Sequence, residues 1–98
     1  MILAVDYDGT LAQGKTMNTA LIASLRRAQR EGHIVILWTC RAGLRLREAL
    51  TALRGYGFTP NLVNQNAPQA VARLGYDPRK ILADVYIDDK GARSWPGM

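Results

Sequence analysis

The chain has 98 residues, 13 of them Lys or Arg and 8 Asp or Glu, so its formal net charge is +5. A chain of this length buries one core and leaves no room for a separate substrate-binding domain. Its hydrophobic content of 48% excludes a disordered basic tail, and its single cysteine excludes an intramolecular disulfide or a two-cysteine zinc motif. It has no apolar run as long as a membrane span and no secretory segment, so we expect a cytoplasmic protein without membrane partners.

Apolar segments alternate with helix-like segments along the whole chain. Continuous apolar runs predict buried strands at residues 2–6 and 34–38. A weaker strand is predicted at 61–64 and a last one at 81–87. A helix is predicted between each strand and the next.

The helix boundaries follow from capping and stop residues. Asn18 or Thr19 is expected to cap the first helix, and Gly32 marks its end. Glycines also bound the second helix, and the third begins with Pro68 in its first turn and ends at Gly75. Strands that alternate with helices predict a parallel sheet with helices on its faces, because right-handed crossovers join parallel neighbours.

Polar residues that can carry chemistry follow three of these strands. Asp6, Thr39 and Asp88 each fall at the carboxyl end of a predicted strand. In open parallel sheets, ligands bind beyond these ends, where the strand order reverses. The sequence therefore predicts a functional site at this edge of the sheet.

Four acidic residues belong to this predicted site: Asp6, Asp8, Asp88 and Asp89. Carboxylates that share a crevice repel one another unless a hard dication with oxygen ligands, such as Mg²⁺, binds among them. We therefore expect these four residues to form a magnesium site. A carboxylate can also attack phosphorus, and the spacing of Asp6 and Asp8 allows one to act as nucleophile and the other as general acid and base.

The residues that follow the second strand suit a phosphate group. Thr39 offers a hydroxyl, and the main-chain amides of Cys40 and Arg41 lead towards a helix N-terminus, where anions bind. Lys90, just after the last acidic pair, is a further candidate cation. We expect these four residues to contact the phosphate of a phosphorylated substrate.

These motifs resemble those of a known superfamily. The segment Asp-Tyr-Asp-Gly-Thr at 6–10, Thr39 after an apolar strand and the acidic pair at 88–89 are similar to motifs one, two and four of the haloacid dehalogenase-like hydrolases. The resemblance covers nearly the whole chain. It implies a Rossmann-like open parallel sheet of about four strands in the order 3-2-1-4, with helices on both faces.

The resemblance also implies a mechanism and a cofactor. Asp6 would be the phosphorylated nucleophile and Asp8 the general acid and base that distinguishes phosphatases from dehalogenases. Mg²⁺ would be held by the Asp6 carboxylate, the main-chain carbonyl of Asp8 and Asp88, and Thr39 would bind the phosphoryl group. The expected activity is that of a Mg²⁺-dependent phosphomonoester hydrolase whose substrate identity stays open.

The third motif of the superfamily is a cation, and Lys80 is the candidate by sequence order. An extended strand from Lys80 to Asp88 would span about 26 Å, which places Lys80 at the opposite end of the sheet. Arg41 or Lys90 is then better placed to supply the charge.

The superfamily often inserts cap domains, but core elements fill this chain. Residues 1–98 are therefore predicted to form one capless domain. In the family, absence of a cap accompanies large substrates or shielding by a neighbouring subunit. Trp95 and Pro96 are candidates for a homo-oligomeric interface of this kind.

Two other functions compete with this interpretation. Residues 9–16 match the phosphate-binding motif G-x-x-x-x-G-K-[ST] in full, which suggests a P-loop nucleotide-binding or nucleotide-hydrolysing protein. That reading leaves Asp6, Asp8 and Thr39 unexplained. A non-catalytic nucleic-acid-binding module would use the ten arginines, but these are scattered without interleaved aromatic residues, which favours solvated helix surfaces.

Overall fold

A computed structural model describes residues 1–89 of the chain. Within this range the order of elements is β1 (Ile2–Asp6), β2 (Ala12–Gln13), β3 (Thr16–Met17), α1 (Thr19–Arg30), β4 (Ile34–Trp38), α2 (Gly43–Gly55), β5 (Leu62–Val63), α3 (Pro68–Leu74) and β6 (Val85–Ile87). In this part of the chain no helix is both long enough and apolar enough to cross a membrane.

Four strands form a parallel sheet in the order β5-β4-β1-β6. Counted along the chain, this is the predicted order 3-2-1-4. The register aligns Asp6 with Trp38 and Val5 with Ile87. Because β4 and β6 lie on opposite sides of β1, the strand order reverses at β1, and the residues that follow these three strands emerge at the same edge of the sheet.

Helices cover both faces of the sheet, as predicted. Alternate residues of β1 point to opposite faces, so Leu3 and Val5 pack in the core beneath α1 and α2. Ile2 and Ala4 pack on the other face with Ala70 of α3. Burial on both faces explains why β1 and β4 are apolar at successive positions instead of alternating with polar residues.

The local signals at the helix ends act largely as expected. The Asn18 side chain accepts a hydrogen bond of 3.1 Å from the Leu21 N–H and so caps α1. Pro68 occupies the first turn of α3, and Gly75 ends it in the left-handed conformation, with φ of 92°. At α2 the N-cap residue, Ala42, makes no side-chain capping bond.

The structure differs from the sequence expectation in two places. Residues 12–17 form an antiparallel hairpin of β2 and β3, which apolar periodicity did not indicate. The predicted strand at 81–87 is confined to Val85–Ile87. The Leu82 and Ala83 N–H groups bind the side chains of Asn66 and Tyr86, and pairing with β1 starts only with the bond from the Asp84 N–H to the Ile2 carbonyl. Residues 1–89 consist of the α/β core and this hairpin, and they contain no cap domain.

Candidate active site

Asp6 ends the central strand β1 and is partly buried. Its Oδ1 accepts a 2.9 Å hydrogen bond from the Tyr7 N–H. Burial raises the pKa of Asp6, and the carboxylates of Asp8, Asp89 and Asp88 raise it further, whereas the bond from Tyr7 opposes the shift. The carboxylates that follow β1 and β6 are therefore close enough to interact electrostatically, as the strand order predicted.

A tight turn follows β1 and sets the direction of Asp8. The amide N–H groups of Leu11 and Ala12 both donate to the Tyr7 carbonyl, and the Gly9 N–H donates to the Ala12 carbonyl at 2.7 Å. Gly9 has φ of 83°, a conformation that residues with a side chain rarely adopt. A Cβ atom at Gly9 would lie 3.8 Å from the Asp89 Cβ, so the turn packs against the residues after β6.

The exposed Asp8 carboxylate forms a bidentate ion pair with Arg41. The Arg41 Nη2 and Nε atoms donate to the two Asp8 oxygens at 2.8 and 2.9 Å. The guanidinium also lies over the Tyr7 ring, 4.8 Å from its centroid. The hydrogen bonds from Arg41 lower the pKa of Asp8 and hold it ionised. The sequence placed Arg41 near the phosphate but did not predict this partner.

Thr39 is buried directly after β4. Its Oγ1 accepts a 3.1 Å hydrogen bond from the Arg41 N–H, which leaves the hydroxyl hydrogen to be donated elsewhere. One of the two amides expected to bind phosphate, that of Arg41, is therefore already engaged. Cys40 is exposed, and α2 begins only at Gly43.

Asn64 is a positioning residue that sequence reasoning did not assign to this task. Its side chain accepts from the Thr39 N–H at 2.8 Å and donates to the Thr39 carbonyl at 2.9 Å. Asn64 has φ of 51°, a left-handed conformation that asparagine tolerates better than most residues. Its amide fixes the main chain at Thr39. The sequence feature that could have revealed this role is an asparagine directly after a strand that ends at the functional edge.

The position of Lys80 corrects one step of the sequence argument. Residues 80–84 are not part of an extended strand, so the separation of about 26 Å between Lys80 and Asp88 does not apply. The Asn66 side chain donates to the Lys80 carbonyl at 3.1 Å and accepts from the Leu82 N–H at 2.6 Å. The main chain at Lys80 is therefore held to the loop that follows β5.

The donor chemistry at this edge suits a hard cation, although the four predicted carboxylates do not form one ligand cluster. No group of three or more His, Cys, Asp or Glu side chains in residues 1–89 is arranged to hold a metal ion. Asp8 is turned towards Arg41 instead. The smaller ligand set implied by the superfamily needs only two carboxylates and one main-chain oxygen. Three neighbouring acids raise the pKa of Asp6, and a bound dication would neutralise part of the negative charge that causes this shift.

Residues 9–16 do not adopt the arrangement that a P-loop requires. A P-loop wraps phosphate and continues directly into a helix that begins at its Lys-Ser/Thr pair. Here Gly14 and Lys15 form the turn of the β2–β3 hairpin, and α1 begins after it, at Thr19. The candidate cation Lys90 and the candidate interface residues Trp95 and Pro96 lie outside the described residues.

Comparison with known proteins gives one informative similarity. A solved structure of a conserved protein from Bacteroides thetaiotaomicron matches this chain with a TM-score of 0.77 and 32% sequence identity. The match covers 98% of this chain and 81% of the Bacteroides chain, and the two proteins belong to the same family. No family model matches the chain, and no curated protein does.

Proposed function

We propose that this chain is a Mg²⁺-dependent phosphomonoester hydrolase that works through an aspartyl phosphate on Asp6. The observation that carries the proposal is the convergence of three strand ends. Asp6 and the Asp8 turn follow the central strand, Thr39 follows β4, and the pair Asp88 and Asp89 follows β6. An edge that offers both a carboxylate nucleophile and a second carboxylate two residues later suits phosphoryl transfer.

In the first step, an Asp6 oxygen attacks phosphorus and the ester oxygen departs with the bonding electrons. Thr39 would orient the phosphoryl group through its hydroxyl hydrogen, and the Asn64 bonds that hold its main chain support this role. In the second step, water attacks phosphorus and releases phosphate and free Asp6. The bond broken in each step is a phosphorus–oxygen bond.

Asp8 is assigned to proton transfer in both steps. It would protonate the departing oxygen in the first step and remove a proton from water in the second. Its ion pair with Arg41 favours the ionised carboxylate. The ionised form can act as the base in the second step, but it cannot donate the proton that the first step requires. We infer that a bound phosphoryl group draws Arg41 away from Asp8, since phosphate oxygens accept the same bidentate donation.

Magnesium is assigned to the carboxylates of Asp6 and Asp88 and the main-chain carbonyl of Asp8, with Asp89 nearby. When bound, it would offset the negative charge of the acids and of the phosphoryl oxygens. The residues themselves contribute the nucleophile, the proton transfers and the orientation of the substrate.

The decisive experiment compares wild-type protein with Asp6→Asn and Lys15→Ala on a panel of phosphomonoesters and ATP, with magnesium or with a chelator. We expect Asp6→Asn to reduce turnover by at least about a thousandfold, because the amide is a poor nucleophile. We expect a loss of similar size on chelation, because the proposed mechanism needs magnesium to offset the charge of the acids and the phosphoryl oxygens. Lys15→Ala should leave kcat for phosphomonoesters almost unchanged.

Asp6→Asn is a suitable test because the Asn oxygen can still accept the bond from Tyr7, and circular dichroism checks that the variant is folded. Turnover that survives in Asp6→Asn would overturn the proposed mechanism. ATP hydrolysis abolished by Lys15→Ala alone would instead support a P-loop function.

A further inference from the structure

A cleft of about 410 Å³ separates the β2–β3 hairpin from α2. Aromatic and sulfur-containing side chains line it, namely Tyr7, Met17 and Tyr56. Three charged side chains line it as well, namely Lys15, Arg41 and Glu48. Its volume falls in the range of sites that enclose most of a small organic ligand.

This cleft adjoins the residue assigned to protonate the leaving group. Arg41 belongs to the lining and also donates to both oxygens of Asp8, at 2.8 and 2.9 Å. Asp8 and the cleft therefore share Arg41 as a neighbour. The β2–β3 hairpin forms the opposite wall, and its Lys15 has no ion-pair partner among residues 1–89.

The lining favours a flat ring system over a polyol. A ring can stack on the half-exposed Tyr56, and the Met17 thioether and the side chains of Ala49 and Ala52 add uncharged surface beside it. Aromatic side chains stack on nucleobases, whichever base is present. The Lys15 ammonium is a hydrogen-bond donor group and the Glu48 carboxylate is an acceptor group, and the edge of a nucleobase carries both kinds of partner.

On the basis of the proposed function, we propose that this cleft binds the nucleoside portion of a nucleoside monophosphate, with the base against Tyr56. The substrates of the hydrolase are then nucleoside monophosphates rather than phosphosugars. The phosphoryl group lies at the strand ends, and the nucleoside extends from Asp8 into the cleft between the hairpin and α2.

Truncation of Tyr56 tests the inference, with a second exposed tyrosine as matched control. Tyr56 is 46% exposed and Tyr76 is 63% exposed, so neither truncation disturbs the core. We expect Tyr56→Ala to raise KM for adenosine 5′-monophosphate roughly tenfold with little change in kcat, the effect of one lost base stack. Tyr56→Phe should restore KM, and Tyr76→Ala should not alter it. Hydrolysis of glycerol 3-phosphate, which lacks a ring, should be insensitive to all three variants.

A binding measurement separates this inference from the catalytic proposal. Calorimetry with adenosine and the Asp6→Asn protein should show binding that a second change, Tyr56→Ala, abolishes. Equal kcat/KM for adenosine 5′-monophosphate and glycerol 3-phosphate, with no effect of Tyr56→Ala, would overturn the inference while the hydrolase stands. Preference for a phosphotyrosine peptide would also overturn it. Absence of turnover on every ester, together with Tyr56-dependent adenosine binding, would overturn the hydrolase but support the nucleoside cleft.

Discussion

Asp8 and Arg41 show how one pair of residues can determine the protonation state of a site. The guanidinium donates to both carboxylate oxygens and lies over the Tyr7 ring, so its orientation is fixed from two sides. The pair stabilises ionised Asp8, while burial and neighbouring acids raise the pKa of Asp6. Two aspartates two residues apart therefore have pKa values shifted in opposite directions, as is common where carboxylates divide nucleophilic and acid–base roles.

Removal of Arg41 should return Asp8 to ordinary behaviour. Because the pKa of Asp8 is lowered in the folded state, the stabilisation by the pair is present above the usual aspartate pKa and is lost as the pH falls through the lowered value. In Arg41→Ala we expect the pKa of Asp8 to rise to its ordinary range, measured by NMR titration of the side-chain carboxyl carbon. Arg47→Ala, a change at an exposed arginine of α2, is the control. An unchanged Asp8 pKa in Arg41→Ala would contradict the assignment.

At the scale of elements, asparagine side chains replace strand pairing where the strands are short. β5 has two residues and β6 has three, so few main-chain hydrogen bonds hold the chain at these ends of the sheet. Asn64 binds the main chain at Thr39, and Asn66 binds it at Lys80 and Leu82. Both amides connect segments that are distant in sequence, and so they fix the loops around the proposed site.

Asn66→Ala should destabilise the protein strongly for a residue outside the apolar core. Asn66 is buried, and its loss leaves the Leu82 N–H and the Lys80 carbonyl without their partner. We expect the free energy of unfolding to fall by about 2–3 kcal/mol, measured by urea denaturation. Gln65→Ala, at an exposed neighbouring position, should change it by less than about 0.5 kcal/mol. Equal effects of the two substitutions would show that the Asn66 bonds do not contribute.

At the scale of the whole molecule, the distribution of charge matters more than its sum. Four of the eight acidic residues follow β1 and β6, so 13 basic residues share the rest of the chain with four acidic ones. A negative site within a basic surface attracts phosphate esters and retains a cation. The net charge of +5 therefore fits a small anionic substrate without requiring a nucleic-acid partner.

Added salt should weaken the capture of substrate, because long-range attraction between exposed charges is screened. We expect KM for a phosphomonoester to rise several-fold between about 20 and 200 mM NaCl, with kcat almost constant, in steady-state assays at fixed magnesium. Sucrose at matched osmolality serves as the control for non-electrostatic effects. A KM independent of salt would show that the basic surface does not assist binding.

Much of the fold could be predicted from local patterns. The apolar runs at β1 and β4 fixed the buried strands, and Asn18, Pro68 and Gly75 marked helix boundaries through capping and backbone preference. The β2–β3 hairpin was missed because two-residue strands are too short to show periodicity. The last strand was overextended because Ile81, Leu82 and Ala83 pack against the apolar core without pairing with a strand.

The sequence by itself determined which residues reach the functional edge, because parallel strands joined by right-handed crossovers bring their carboxyl ends together. Only the tertiary structure decided which of those residues touch. Arg41 binds Asp8 across 33 residues and Asn64 binds Thr39 across 25. Such contacts depend on how each turn directs a side chain after its strand has ended, and neither hydrophobic periodicity nor motif spacing encodes that direction.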